Sequence, residues 1–234
     1  FEEIDREQVS VDTTEEDQFS AELKFYPLDT PTFRFEAAIA DREASTYKWA
    51  ESFLNTYSSD LINITPADRR WSNHPQLRQY YLASRETNSA KINISYWPTK
   101  SMSFSLDGDY VEHDYDQTVL GLKSETQATV NLSGNYEPIQ DVNLYGWANY
   151  GYYDTGQAGR SFRGGIDQPA NQLVEPLAQG SDPSRDWDVD ESTETYGFGA
   201  GGNWIIVQDK FDISADYVYM RNIIEYDIGT GGAS

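Results

Sequence analysis

The chain has 234 residues, enough for one sizeable domain, and 39 acidic against 17 basic residues set its net charge at -22. Phosphate binding needs a basic surface, so a nucleic-acid partner is disfavoured. Without cysteine there are no disulfides, no thiolate metal sites and no C-x-x-C-H haem attachment, and His74 and His113 make a poor set of haem ligands. Mean hydropathy is -0.68, and no stretch approaches the roughly 20 apolar residues of a spanning helix, so a membrane location would require a closed barrel.

Residues 1–12 alternate poorly and make a weak candidate for an extra strand. From there the chain repeats one unit: an alternating strand, an aromatic-plus-turn element, and another alternating strand. The turn elements are Phe25-Tyr26-Pro27-Leu28-Asp29-Thr30-Pro31, Tyr96-Trp97-Pro98-Thr99-Lys100, Tyr136-Glu137-Pro138-Ile139-Gln140-Asp141 and, without Pro, Trp204-Ile205-Ile206-Val207-Gln208-Asp209-Lys210. Proline cannot donate to a ladder, so it marks strand ends and presets turns. Hairpin turns are therefore expected near 27–31, 98–100, 138–141 and 207–210.

Period-two alternation flanks each turn. The apolar sets are Phe19, Ala21, Leu23, Phe25 with Phe33, Phe35, Ala37, Ile39; then Ala90, Ile92, Ile94, Tyr96 with Met102, Phe104, Leu106, Gly108, Tyr110. They continue as Ala128, Val130, Leu132, Gly134, Tyr136 with Val142, Leu144, Gly146, Ala148, Tyr150, Tyr152, and end with Tyr196, Phe198, Ala200, Gly202, Trp204, Ile206 and Phe211, Ile213, Ala215, Tyr217, Tyr219. Eight strands of about 9–14 residues follow, long enough to cross a tilted path through a bilayer. The opposite parity is polar: Glu22, Lys24, Arg34, Glu36, Lys91, Asn93, Ser95, Asp107, Asp109, Asn131, Asn135, Asn143, Asn149, Asp212 and Asp216.

Alternation alone also fits a soluble sandwich with one wet face. Two features favour lipid. The apolar parity is only weakly hydrophobic, and its aromatics gather at strand ends as two belts separated by small and aliphatic residues. The fold expected is all-β, an antiparallel transmembrane β-barrel of outer-membrane type with short periplasmic turns and long extracellular loops. Residues 1–234 read as part of a single barrel domain. The long loops are 42–87, where Tyr47, Ala50, Leu54 and Tyr57 have near-helical spacing, and the acidic 154–192; 114–122 is a short link. The terminal Gly229-Thr230-Gly231-Gly232-Ala233-Ser234 reads as a loop, and with Phe1 opening inside a folded pattern it suggests a piece of a longer protein.

No catalytic constellation is present: no nucleophile elbow, H-E-x-x-H, Walker loop or dinucleotide fingerprint. Gly197, Gly199, Gly201 and Gly202 lie in a strand with no helix after them, and mark either curvature or a smooth inward surface against which something packs. Asp182, Asp186, Asp188, Asp190 and Glu191 could supply hard oxygen ligands to Ca²⁺, with Asp186, Asp188 and Asp190 on one strand face; a solvated acidic loop is the simpler reading. Inward charges such as Arg34, Arg85 and Lys91 beside Glu22, Glu36, Asp107 and Asp109 either pair internally or grip a protein inside the barrel.

Two segments carry a family resemblance. Leu77-Arg78-Gln79-Tyr80-Tyr81-Leu82-Ala83-Ser84-Arg85-Glu86 resembles the R-x-Y-Y-L-A-D-R-type segment of the decahaem-associated outer-membrane barrels, the MtrB/PioB family, with Ser84 in place of the usual Asp. Arg185-Asp186-Trp187-Asp188-Val189-Asp190-Glu191-Ser192-Thr193-Glu194-Thr195-Tyr196-Gly197 is similar to that family's acidic W-D-x-D segment. The resemblance implies a large barrel that sheathes a multihaem c-type cytochrome and positions it for electron transfer across the bacterial outer membrane. Haem c is then expected on the partner and none on this chain; an extracellular cytochrome and outer-membrane lipid are further partners. Eight or nine strands are too few to enclose a cytochrome, which points to a fragment of a larger barrel. A porin-like channel for ions or small solutes is the alternative, and a soluble β-rich binding module comes third.

Overall fold

The computed structural model describes residues 11–27, 30–46, 76–161 and 183–230. Residues 1–10 of the weak strand candidate at 1–12, the helical spacing at 47–57, His74, Asp182 and residues 231–234 lie outside the described residues. Eight strands form one antiparallel sheet in chain order: β1 (Thr14–Phe25), β2 (Thr32–Ala44), β3 (Arg85–Thr99), β4 (Met102–Asp114), β5 (Gly121–Ile139), β6 (Val142–Arg160), β7 (Asp186–Val207) and β8 (Phe211–Thr230). β1 and β8 are the open edges; this sheet does not close on itself.

The turns are tight because their residues tolerate them. Thr99 pairs with Met102 across Lys100-Ser101, and Ile139 pairs with Val142 across Gln140-Asp141. Asp141 and Asp209 take left-handed φ values of 67° and 58°, a region that Asp visits more readily than most residues. At the other end the connections are 45–84, 115–120 and 161–185. This short-turn, long-loop asymmetry is that of outer-membrane barrels.

The register keeps each parity on one face. Phe25, Phe33, Ile94, Leu106, Leu132, Ala148, Phe198 and Tyr219 form a single cross-strand row on the outward face. The apolar band does not stay in one set of rows. It covers Phe19–Phe25 on β1 but Ile213–Tyr219 on β8, and Phe25 shares its row with Tyr219, so the band has moved six residues toward the turns (25 − 19). Six residues are about 20 Å along a strand, and seven strand steps are about 34 Å across the sheet. A flat lipid layer meeting this band sees strands tilted by roughly 30°, close to the tilt that barrel closure demands. Aromatic contacts mark the band, with Tyr150 and Tyr196 at 5.2 Å and Phe198 and Tyr219 at 5.2 Å.

Some strand boundaries differ from the sequence expectation. β6 runs to Arg160 and β7 starts at Asp186, so 154–160 and 186–192 belong to strands and not to the expected 154–192 loop; likewise β2 extends to Ala44 and β3 starts at Arg85, inside 42–87. β8 reaches Thr230, where a loop was expected from Gly229. The reason is common to all. Hydrophobic alternation ends where the lipid ends, but the backbone ladder continues into water, so strand lengths reach 22 residues in β7.

Candidate functional site

The inward face has two unlike walls and a folded mouth. The first wall, β1 to β5, is charged. Glu22 bonds Arg34 and lies 2.9 Å from Lys24; Arg34 also approaches Glu36 at 3.6 Å. Asn93 donates to Asp107. Lys91 stands directly across the ladder from Glu36 on one side and from Asp109 on the other. Arg34, Glu36, Lys91, Asp107 and Asp109 thus line one shallow cleft. These exposed pairs contribute little stability, and they set the sign of the potential facing the lumen.

The second wall, β6 to β8, is nearly uncharged at the same height. On β6 the inward parity carries Tyr145, Trp147 and Tyr153, opposite Gly201, Gly199 and Thr193 of β7. A Cβ on Gly199 would sit 2.7 Å from the Trp147 indole, and one on Gly201 would sit 2.7 Å from the Tyr145 hydroxyl. Tyr145 crosses β7 to donate its hydroxyl proton to Asp216 of β8. The glycine stripe is therefore the seat of this chain's own aromatics, with Asn149 over Gly197. What lies closest over Gly197, Gly199 and Gly201 is this chain's own side chains. Gly199→Trp is expected to leave insertion intact while disturbing the inward surface. Even Gly199→Ala should cost about 1–3 kcal/mol from overpacking. In a double-mutant cycle with Trp147→Ala, measured by urea unfolding in micelles, that cost should largely vanish. Additive costs would mean the two residues do not touch.

The third feature is at the loop end, on the inward side. Residues 76–84 fold against 115–121: Leu77 bridges Leu120, and the Arg78 amide donates to the Leu120 carbonyl at 2.9 Å. Leu82, Ala83, Tyr115, Leu120 and Val11 are the buried apolar residues among those described, with Thr118 buried beside them. Leu82 and Ala83 amides both donate to the Gln79 carbonyl. From β2, the Arg42 guanidinium donates to the carbonyls of Tyr80 (2.8 Å) and Ala83 (2.6 Å). Arg85, opposite Arg42 in the ladder, reaches Glu16 at 3.5 Å. Lys123 caps the Thr118 carbonyl. Gly121 has φ +122°, and a Cβ there would lie 2.6 Å from the Arg78 carbonyl oxygen, so this position requires glycine.

Residues 1–234 match the family described as "Putative outer membrane beta-barrel porin, MtrB/PioB". The chain belongs to the MtrB/PioB family of outer-membrane β-barrels. Its place is the bacterial outer membrane, and the family is one of porin-like barrels rather than enzymes. Over 208 residues, 89% of this chain, it is 21% identical to "Outer membrane protein MtrB" of Shewanella baltica (strain OS185). The aligned part is 25% of that protein's length, so the chain spans about a quarter of this relative.

Within this MtrB/PioB chain, the residues singled out from the sequence fall into different places. Arg78, Leu82, Ala83 and Arg85 build the folded mouth, whereas Tyr80 and Tyr81 are exposed and meet edge to face at 5.5 Å. Ser84, in the place of the family's Asp, accepts a hydrogen bond from the Ala44 amide at 3.0 Å, so a side-chain oxygen is retained there. Trp187 points inward over Gly159, and Asp188 outward beside Gly229. Asp186, Asp188 and Asp190 share the outward face of β7, spaced along the strand by about 7 Å at each step. Asp186 is held by Arg160, and among the described residues no three His, Asp or Glu groups gather as a metal site. Arg42, Tyr115, Gly121, Tyr145 and Trp147 were missed from sequence. The one available signal was on β6, where aromatics occupy both parities opposite a run of glycines.

Proposed function

We propose that this chain is part of a barrel that sheathes and positions a multihaem c-type cytochrome, so that electrons cross the outer membrane through the partner's haems. The reading rests on the family resemblance and is supported by one observation: the sheet has an apolar outward band and an inward face that is polar and self-paired. Lipid cannot host the propionates and polar surface of a cytochrome, whereas such a lumen can. This chain offers no covalent attachment for a haem c of its own, because cysteine is absent. Haem c would therefore be the partner's, and this chain would insulate and position it. An extracellular cytochrome would meet the loop end.

A second reading, a porin-like channel, draws on the segment 76–84, which packs against 115–121 and Arg42 at the loop end. The acidic balance would then favour cations. The visible spectrum of the native protein, isolated in mild detergent, separates the two. A c-type haem band in stoichiometric excess over the barrel is expected for the sheath. A colourless barrel that conducts ions would leave the channel.

A further inference from the structure

The two inward walls are not equivalent. At one height the row Lys24, Arg34, Asn93, Asp107, Asn131 continues into Asn149, Gly197 and Met220; the next row, Glu22, Glu36, Lys91, Asp109, Thr129, continues into Gly151, Thr195 and Asn222. The last charge in each row is on β4, at Asp107 and Asp109. Beyond it lie Tyr145, Trp147, Tyr153, Val218, Met220 and Ile224, all on the inward parity. Val218, Met220 and Ile224 are 56%, 61% and 53% exposed. They face away from the lipid band, so lipid does not cover them, and a water-filled channel has no use for them.

We propose, building on the sheath reading, that the β6–β8 wall is the surface on which the cytochrome docks, while the β1–β5 wall stays wet. The extent of the patch argues for a folded protein and against a solute. Tyr145 to Tyr153 is about 26 Å along β6, and three strands are about 10–14 Å wide, a few hundred Å² in all. A single sugar or small solute covers far less, whereas this is the size of the apolar centre of a standard interface burying about 800 Å² per partner. Charge identifies the facing surface. Asp212, Asp216 and Glu191 are on the inward parity around the patch and are acidic, so the partner presents an uncharged apolar centre with Lys or Arg at its rim. The glycine stripe contributes by letting Trp147 and Tyr145 lie across β7, which keeps the wall level enough for a rigid surface to approach.

The test uses the full-length barrel in its own outer membrane. A benzophenone amino acid is placed at Ile224 or at Ser89, which share one row on opposite walls. Light should link position 224, and not 89, to a haem-staining polypeptide. In parallel, the double variant Val218→Glu, Met220→Glu should lower haem per folded barrel roughly tenfold or more, the scale of losing an interface hot spot. Unboiled gel mobility reports that the barrel still folds. Links from 89 alone, from both positions, or from neither while haem copurifies would overturn the docking wall and leave the sheath intact. An unmodified barrel that carries no haem protein would instead remove the sheath reading, and this inference with it.

Discussion

Arginine at Val130 should destabilise the folded barrel by about 2–4 kcal/mol, the cost of a cation on the lipid face near the bilayer midplane. Val130 is outward, in the row of Leu23, Phe35, Ile92 and Tyr150, with apolar or aromatic rows on both sides. Leu106, one row toward the turns, should behave alike. Thr129 supplies the internal control. It is the adjacent residue but faces inward opposite Asp109, so Thr129→Arg should cost close to nothing. Reversible unfolding in detergent or lipid vesicles gives the three values. Equal costs at 129 and 130 would mean that the two faces do not separate lipid from water.

The second large effect is expected in the folded mouth. Tyr115 is 1% exposed and is the largest fully buried side chain among the described residues. Removing a ring of this size from a packed site costs about 3–5 kcal/mol. Tyr115→Ala should therefore release the 76–84 segment from the sheet, and Gly121→Ala should do the same through its clash with the Arg78 carbonyl and its left-handed φ. Because the membrane rows do not include these residues, the barrel should still fold and insert. Hydrogen exchange or limited proteolysis across 76–84 measures the release. Unchanged protection in both variants would show that the mouth is held by something other than this small core. The experiment also bears on function: if the segment is a constriction, its release should raise conductance, and if it is scaffolding for a docked partner, haem retention should fall.

Much of the architecture was legible without coordinates because it is written locally. Period two places Phe19, Ala21, Leu23 and Phe25 on one face whatever they pair with; Pro27 lies just past the end of β1, and Pro98 and Pro138 sit at register breaks one residue before β3 and β5 end, where a missing donor is tolerated. The charged inward residues Arg34, Glu36, Lys91, Asp107 and Asp109 follow from the same parity. The two motif segments were legible as family marks, but their mechanical roles were not. Nothing in Leu77–Glu86 says that Arg42, some forty residues earlier, closes the turn, because that contact exists only once β2 and β3 are in register.

The sequence by itself determined the strand count among the described residues, their alternation, the side that meets lipid and the family. Each depends on neighbours two to four residues apart. Only the tertiary structure decided the six-residue drift of the lipid band, the seating of Trp147 on Gly199 and of Tyr145 on Gly201, and the burial of Tyr115 under the motif. The first two depend on which residue of one strand stands opposite which residue of the next, and the third on the connections 45–84 and 115–120 meeting at the loop end. In the tight hairpins turn length fixes that register, but β2–β3 and β6–β7 are joined by the long connections 45–84 and 161–185, which leave it to the ladder itself.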